Sequence, residues 1–206
     1  MAQKRRKKRA IGDCSHACDK RIALFRNDVW TWDFIYDRTI DGRQLKFLVI
    51  LDEFTRENLC LEVRRSFTAD ATVGVLSDLM ATHGVPCHIR SDNGSEFIAA
   101  QMQTWLEKMS VGPLYVAPGA PWQNGYIESF NSRFRDEFLE MNYFTSLQEA
   151  QQLTMIWKVH YNEARPHFSL GNRTPKEFAE DCMGACSASL RSAPQAPMQS
   201  CQEARS

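Results

Sequence analysis

Three acidic residues stand out because of where they lie in the chain. Asp33 sits inside an apolar run, residues 29–36, where an unpaired charge is costly to bury unless a cation or another partner meets it. Asp92 belongs to the turn sequence Ser91-Asp92-Asn93-Gly94, at the end of a strand-like segment, and Glu128 lies in a helical pattern. Carboxylate oxygens are the ligands that magnesium and manganese prefer. The three acids together indicate a divalent-metal site.

Each acid also has a simpler explanation when it is taken alone. Asp92 can be a turn residue, since Asp-Asn-Gly favours a turn by itself. Glu128 can be an exposed helix acid, and Asp33 can be a strand acid paired with an arginine. A fourth acid, Asp52 at the end of the second predicted strand, competes as a metal ligand, although a strand-end cap is the favoured interpretation. The order and spacing of the first three acids favour the metal site.

The spacing carries a resemblance to a known family. A gap of 35 residues separates Asp92 from Glu128, and a later stretch reads Tyr161-Asn162-Glu163-Ala164-Arg165-Pro166-His167. With these features, the chain from about Val29 to Phe178 resembles the insertion-sequence transposases whose core is like retroviral integrase. The resemblance implies an α/β fold of the ribonuclease-H-like type, with a mixed five-stranded sheet flanked by helices.

The same resemblance implies metal-dependent cutting and joining of DNA strands. Asp33 and Asp92 would hold two Mg2+ (or Mn2+) ions, with Glu128 completing the second site, so that a water and then a freed 3′-hydroxyl can attack phosphorus. A catalytically silent DNA-binding remnant and a nuclease of the same fold are the alternatives.

The expected partners are the DNA of the element ends and target, and further copies of the chain in the active complex. Complete family members carry an N-terminal helical region that recognises the element ends, and this chain begins only a short stretch before its first predicted strand. That region is therefore expected on a separate helix-turn-helix subunit, or this is a truncated copy.

Several polar residues near the predicted site are candidates for DNA contacts. They are Asn93, Gln123, Asn124 and Arg135, whose simpler roles are turn formation, loop solvation and a surface ion pair. Arg165 and His167 belong to the family-like stretch, and either bracing of the catalytic helix or DNA contact fits them. His167 is not needed as a metal ligand.

The periodicity of apolar residues predicts the elements that position these residues. We predict three strands that form an antiparallel meander, at 29–36, 45–51 and 58–65, followed by a helix at 69–84 and a strand at 87–91. A helix at 97–109, a strand at 112–116 and a mobile loop at 117–123 come next, and then three helices at 124–141, 147–162 and 174–178. In the first strand the aromatic residues share one face and Asp33 the other. The core-facing residues predicted for the helices that begin at 97, 124 and 147 are Phe97, Met102, Trp105, Leu106 and Met109; Ile127, Phe130, Phe134, Phe138 and Met141; and Leu153, Ile156, Trp157 and His160.

Composition places the chain among ordinary globular proteins. It has 25 basic and 25 acidic residues, and residues 4–9 supply six of the basic ones. We expect a basic arm at 1–27, either seeking phosphate or simply disordered, a catalytic core at 28–180 and a disordered tail at 181–206. Without an apolar stretch of membrane-spanning length or a signal peptide, the expected location is the cytoplasm.

The seven cysteines form no recognisable disulfide framework. Cys60 and Cys87 lie in strand-like runs and are predicted to fill the core. A zinc site shared by Cys14, Cys18 and the pair Cys182 and Cys186 is a weaker alternative.

Overall fold

A mixed five-stranded sheet runs through the part of the chain, residues 21–92, 100–116 and 124–182, that the computed structural model describes. Its strands are β1 (Val29–Arg38), β2 (Gln44–Asp52), β3 (Asn58–Arg64), β4 (His88–Ser91) and β5 (Gly112–Tyr115). The spatial order is β3-β2-β1-β4-β5. β1, β2 and β3 pair antiparallel, whereas β4 pairs parallel with both β1 and β5. The predicted meander and the mixed sheet are confirmed.

The described helices are α1 (Ala69–His83), α2 (Ala100–Lys108), α3 (Gly125–Phe134), α4 (Leu147–Glu163) and α5, residues 175–182. Local sequence explains several of their ends. Thr68 caps α1 by accepting a 3.2 Å hydrogen bond from Ala71 N, and Gly84, at φ +94°, ends it. A capping box begins α5, because Thr174 Oγ1 accepts from Glu177 N (3.2 Å) while Glu177 Oε2 accepts from Thr174 N (2.9 Å).

The sheet separates two hydrophobic cores. Trp30 and Trp32 of β1 face α1 and α2, whereas Ile35 faces α3 and α4. β2 contributes alternately to both, with Leu48 in the first core and Phe47 in the second. β2 is therefore buried on both faces, as its nearly unbroken apolar sequence predicts.

Helix α4 covers the outer edge of the sheet at β3. Asn162 exchanges two hydrogen bonds with the backbone of Asn58, accepting from its N–H (2.8 Å) and donating to its carbonyl (2.9 Å). Lys158 Nζ donates to the carbonyl of Leu59 (2.7 Å). These contacts occupy backbone groups of Asn58 and Leu59. An uncovered edge strand would offer such groups to another chain.

The long helix predicted at 124–141 is wrong in its second half. The α-helix ends at Phe134, and a π-helical turn, Arg135–Leu139, follows it. Phe138 remains buried, but the side chain of Met141, predicted to face the core, is 75% exposed. A π turn holds one more residue than an α turn, so the core-facing period shifts, and the helical segment ends before Met141.

Two core-facing predictions in α4 and one for a cysteine are also wrong. Ile156 is 65% exposed and His160 is exposed, because the stripe that faces the sheet runs instead through Ala150, Thr154 and Tyr161. Cys60 is buried as predicted, but Cys87 is exposed since it precedes β4 rather than lying within it.

The disordered tail was expected at 181–206, but residues 181 and 182 belong to α5. Other expectations fall outside the described residues: the rest of that tail, the loop at 117–123, Phe97, and the cysteines at 14, 18 and 186. Part of the expected arm is described. There Asn27 donates from its backbone to Asp52 (2.7 Å) and from its side chain to the carbonyl of His83 (2.7 Å). Within the three described ranges, no helix has the length and apolar content needed to cross a membrane.

Candidate active site

Asp33 lies in the middle of β1 on the face opposite the tryptophans, as predicted. Its side chain is half-buried, and both carboxylate oxygens accept a hydrogen bond. Oδ1 accepts from the backbone N–H of Phe34 (2.7 Å), and Oδ2 accepts from Asn131 Nδ2 (2.7 Å). The carboxylate is thus held from two sides by neutral donors.

Asp92 directly follows the last residue of β4. Because β4 runs parallel to β1 with Thr31 opposite Arg90, two further residues along each strand bring Asp33 level with Asp92. Adjacent strands lie about 4.8 Å apart, and paired residues of a parallel sheet point to the same side. The structure therefore brings these two predicted site residues together.

Burial raises the pKa of Asp33 above its usual range, and the nearby negative charge of Asp92 adds to this effect. The hydrogen bond from Phe34 is the chief opposing influence, followed by Asn131 and the positive charge of Arg135. A half-buried carboxylate whose ionisation is disfavoured in this way is a setting that a cation would relieve.

Helix α3 carries Glu128 along the strand that holds Asp33. Residues 124, 128 and 131 are spaced i, i+4 and i+7 and share one stripe of the helix. The two outer members contact β1: Asn124 Oδ1 accepts from Thr31 Oγ1 (2.8 Å), and Asn131 donates to Asp33. Glu128 lies between these two contacts and is exposed to solvent.

Within residues 21–92, 100–116 and 124–182, no three His, Cys, Asp or Glu side chains are arranged to hold a single metal ion. Asp33, Asp92 and Glu128 are therefore not gathered into one three-ligand group. Carboxylates repel one another in the absence of a cation, and Asn131 occupies the Asp33 oxygen on the side of α3. Asp33 and Asp92 nevertheless supply the hard oxygen donors of a magnesium or manganese site. Asn131 Oδ1 is a further oxygen of this kind, since it is buried and has no hydrogen-bond partner in the described chain.

Asp52 serves as a strand-end cap. Its Oδ1 accepts from the backbone N–H groups of Phe54 and Thr55, both at 2.9 Å, and its Oδ2 accepts from Asn27 N (2.7 Å). The side chain is fully buried, and burial raises its pKa. This competitor for metal binding is thereby committed to the backbone, as the favoured interpretation expected.

The candidates for DNA contact have different surroundings. Asn93 and Gln123 lie outside the described residues. Asn124 is 7% exposed, with its amide oxygen bound to Thr31. Arg135, the first residue of the π-helical turn, is exposed, and its charge reaches Asp33.

The family-like stretch at 161–167 packs against the helix that carries Glu128. Arg165 forms a forked ion pair with Glu137 in the π-helical turn, and this pairing lowers the pKa of Glu137. His167 is buried, with its ring edge-on to Tyr161 at a centroid distance of 5.1 Å. The ion pair fits one of the two roles left open for Arg165, bracing of the helical segment that carries Glu128 and Glu137.

Sequence reasoning missed two site residues. Neither Asn131 nor Thr31 was singled out from the sequence. The available signal was the helical spacing from Asn124 through Asn131, combined with the two-residue spacing of Thr31 and Asp33.

Comparison with known proteins agrees with this geometry. Two family models, both described as integrase core domain, match residues 25–121 and 109–175. An uncharacterized 39.2 kDa protein of insertion element IS476 from Xanthomonas euvesicatoria is 38% identical over 179 residues, 87% of this chain and 51% of that protein. A 31.7 kDa protein of IS407 from Burkholderia multivorans is 37% identical over 153 residues, 74% of this chain and 55% of that protein. The chain thus spans about half the length of these relatives.

More distant similarities point the same way. A transposase of insertion sequence element IS904 from Lactococcus lactis is 25% identical over 157 residues, 74% of this chain and 61% of that protein. The HTLV-2 integrase catalytic core domain, solved in complex with magnesium, superposes with a TM-score of 0.60 at 16% identity, covering 76% of this chain and 98% of that one. A chain of the simian T-cell lymphotropic virus intasome, solved with a PP2A regulatory subunit, gives a TM-score of 0.66 at 15% identity, covering 90% and 62%.

These structural neighbours establish the ribonuclease-H-like fold that the resemblance implied. The two family matches overlap and together run from residue 25 to residue 175, which takes in β1, β4 and α3 with all three predicted acids. The chain therefore belongs to the integrase core domain family.

Proposed function

We propose that this chain is the catalytic part of a DNA transposase, which hydrolyses and then transfers DNA strands. The observation that carries the proposal is the placement of Asp33 and Asp92 at one level of two adjacent parallel strands, in a chain of the integrase core domain family. Insertion-element relatives support DNA as the substrate, and action on DNA accords with a cytoplasmic location.

Asp33, Asp92 and Glu128 would hold two Mg2+ or Mn2+ ions. When bound, such ions lower the pKa of an attacking water and stabilise the charge on the leaving oxygen. Asp33 offers a carboxylate prepositioned by Phe34 and Asn131, and Glu128 offers one on a helix fastened to β1 on either side of it. Glu128 is exposed, so its side chain would be free to turn toward the pair when the ions bind.

The other residues of the site would position the DNA. Arg135 is exposed and close enough to affect Asp33, so it can contact a phosphate beside the scissile bond. Asn93 and Gln123 remain candidates for similar contacts. Asn124, bound to Thr31, acts through the position of α3 rather than through an exposed amide.

The partners beyond DNA are proposals as well. We expect further copies of this chain in the active complex, since the HTLV-2 core domain was solved as dimeric and trimeric forms. The exposed apolar side chains of α4, Met155, Ile156 and Val159, are the surface that we expect such a copy to cover. A separate helix-turn-helix subunit is a candidate for recognition of the element ends.

The test is cleavage of plasmid and labelled oligonucleotide DNA by wild type, Asp92→Asn and the control Glu107→Gln, in MgCl2 and in MnCl2. We expect Asp92→Asn to lose metal-dependent cleavage while keeping the circular dichroism spectrum of the wild type, and Glu107→Gln to behave as wild type. Equal cleavage by the wild type and Asp92→Asn refutes the catalytic role of Asp92.

The same assay separates the two alternatives. Cleavage without joining of labelled ends to a target identifies a nuclease of the same fold. Absence of cleavage, together with no rise in melting temperature on addition of Mn2+, identifies a silent remnant, because a metal-free carboxylate cluster should be stabilised by its cation.

A further inference from the structure

A polar cavity lies beside α3, on the flank of the helix away from Asp33. It has a volume of about 150 Å3 and is formed by α3, the loop between β2 and β3, the end of α4 and the segment around residues 167–170. Since one liquid water takes about 30 Å3, the cavity has room for a group the size of a phosphate. The polar side chains that line it and that concern us here are Arg56, Ser129, Arg133, His167 and Ser169.

The cavity is basic and contains no acid. No carboxylate lines it, and no ion pair joins Arg56 or Arg133 to an acid within the described residues. Arg56 is held in place, because its guanidinium lies 3.6 Å from the ring centroid of Tyr126 and donates to the carbonyl of Glu53. Arg133 is exposed, and the nearby acid that feels its charge, Glu137, is not part of the cavity lining. Two guanidinium groups at a cavity whose lining holds no carboxylate indicate a site for an anion.

His167 supplies an independent indication. The residue is 8% exposed, and its Nε2 atom has no hydrogen-bond partner within the described chain. Its backbone is fixed, since its N–H donates to the carbonyl of Arg173 (2.9 Å) and its carbonyl accepts from Leu170 N (3.0 Å). A buried polar atom without a partner is uncommon, and here it belongs to a side chain that lines the cavity.

Helix α3 connects this cavity with the candidate active site. Tyr126, Ser129 and Arg133 lie on the helix flank roughly opposite the stripe that carries Glu128, since helical residues advance by about 100° each. A helix with its side chains is about 10–12 Å wide. An anion in the cavity and DNA at Glu128 would therefore lie on two sides of a single helix, close enough for one DNA molecule to reach both.

We propose that this cavity binds a phosphate group through Arg56, Arg133, His167 and the hydroxyls of Ser129 and Ser169, and that the phosphate belongs to the backbone of DNA held at the active site. The assignment to DNA rests on the proposed function, whereas the anion site itself does not. The imidazole of His167 donates from Nε2, and the two guanidinium groups neutralise the charge. Bound phosphate would fasten the DNA to the helix that carries Glu128.

The first experiment uses inorganic phosphate as the probe. The imidazole signals of His167 are assigned by comparison with His167→Gln and followed by NMR during a phosphate titration of the wild type, Arg133→Gln and the control Arg43→Gln, whose arginine is exposed on the β1–β2 turn. We expect saturable shifts of the His167 signals in the wild type and the control, and a weaker affinity in Arg133→Gln. Shifts that are absent, or equal in all three proteins, overturn the anion site and leave His167 as a structural residue.

The second experiment identifies the source of the phosphate and needs no catalysis. Binding of a labelled DNA duplex is measured without divalent metal in an Asp92→Asn background, with and without Arg133→Gln or Arg43→Gln. We expect Arg133→Gln to weaken binding several-fold and to reduce the slope of log K against log salt by about 1, with Arg43→Gln unchanged. If Arg133→Gln leaves DNA binding unchanged while phosphate still shifts His167, the DNA assignment is overturned and a free phosphate site remains. Neither result depends on whether the chain cleaves DNA.

Discussion

Asn131 Nδ2 donates a 2.7 Å hydrogen bond to Asp33 Oδ2 and so joins α3 to the centre of β1. The contact occupies the oxygen of Asp33 that faces the helix of Glu128. The hydrogen bond from Asn131 and the positive charge of Arg135 both oppose the rise in the pKa of Asp33 that burial and Asp92 cause. The same helix therefore carries both the amide that contacts Asp33 and the exposed Glu128.

Replacement of Asp33 by Asn should stabilise the metal-free protein. Asp33 is half-buried beside Asp92. Asn has nearly the same shape but no charge, so the substitution removes both the cost of burying a charge and the repulsion from Asp92. We expect Asp33→Asn to melt a few degrees above the wild type without metal, on a scale of about 2–4 °C per kcal/mol for a chain of this size. Mn2+ should then raise the melting temperature of the wild type but not of Asp33→Asn.

Thermal scans with and without MnCl2 measure both effects. Glu107→Gln on α2 is the control, since it removes a negative charge that is exposed rather than half-buried. A lower melting temperature for metal-free Asp33→Asn contradicts the view that these acids form a cation site.

The buried pair of Thr31 and Asn124 should behave as one unit. Their 2.8 Å hydrogen bond links β1 to the start of α3, and both side chains are buried. Thr31→Val and Asn124→Ala each leave a buried polar group unpaired, which costs about 1–3 kcal/mol. The double variant should therefore lose less stability than the sum of the single losses, with a coupling energy of about 0.5–3 kcal/mol. Urea unfolding of the four proteins measures this coupling, and strictly additive losses would show that the pair does not fasten the helix.

Asn162 should protect the edge of the sheet. Its amide makes both a donor and an acceptor contact with the backbone of Asn58, at 2.9 and 2.8 Å. Asn162→Ala should speed amide hydrogen exchange along β3 and lower the free energy of unfolding by about 1–3 kcal/mol. Gln152 lies on the same helix and is exposed, so Gln152→Ala is the control and should leave amide exchange in β3 unchanged. Equal exchange rates in the two variants would show that Lys158 and the apolar contacts suffice.

Sequence periodicity was sufficient for most of the fold. β1 alternates between two cores, and β2 is apolar on both faces, so simple burial of apolar side chains specifies the sheet. The misplaced residues follow from geometry that periodicity does not contain. The prediction that Met141 faces the core was wrong because of the π-helical turn before it. The same prediction for Ile156 was wrong because α4 faces the sheet through a neighbouring stripe.

The site was predictable to a different extent. The spacing of the three acids predicted a site that includes Asp33 and Asp92, and strand register explains why these two lie near each other. The polar contacts around them join residues nearly a hundred positions apart in sequence, such as Thr31 and Asn124. A local sequence pattern cannot predict which such residues will meet. The basic cavity at His167 likewise combines residues from four separate segments.

His167 should make stability depend on pH in a defined window. Burial, together with the charges of Arg133, Arg165 and Arg56, lowers the pKa of His167 to about 4, against about 6.5 for a free side chain. Between these values the unfolded chain binds a proton that the folded chain does not, so stability rises with pH. The contribution is complete above about pH 6.5 and is lost as the pH falls toward 4. Because the ring borders an open cavity, we expect a loss of only about 1–2 kcal/mol.

Urea unfolding at several pH values between 4 and 7 tests this dependence in the wild type, His167→Gln and the control His160→Gln, whose histidine is exposed. The slope of unfolding free energy against pH should be shallower in His167→Gln and unchanged in His160→Gln. An overall loss of stability in His167→Gln does not affect the comparison, since the slope rather than the absolute value reports the titration. Identical slopes for His167→Gln and the wild type would mean that His167 takes up its proton as readily in the folded chain as in the unfolded one.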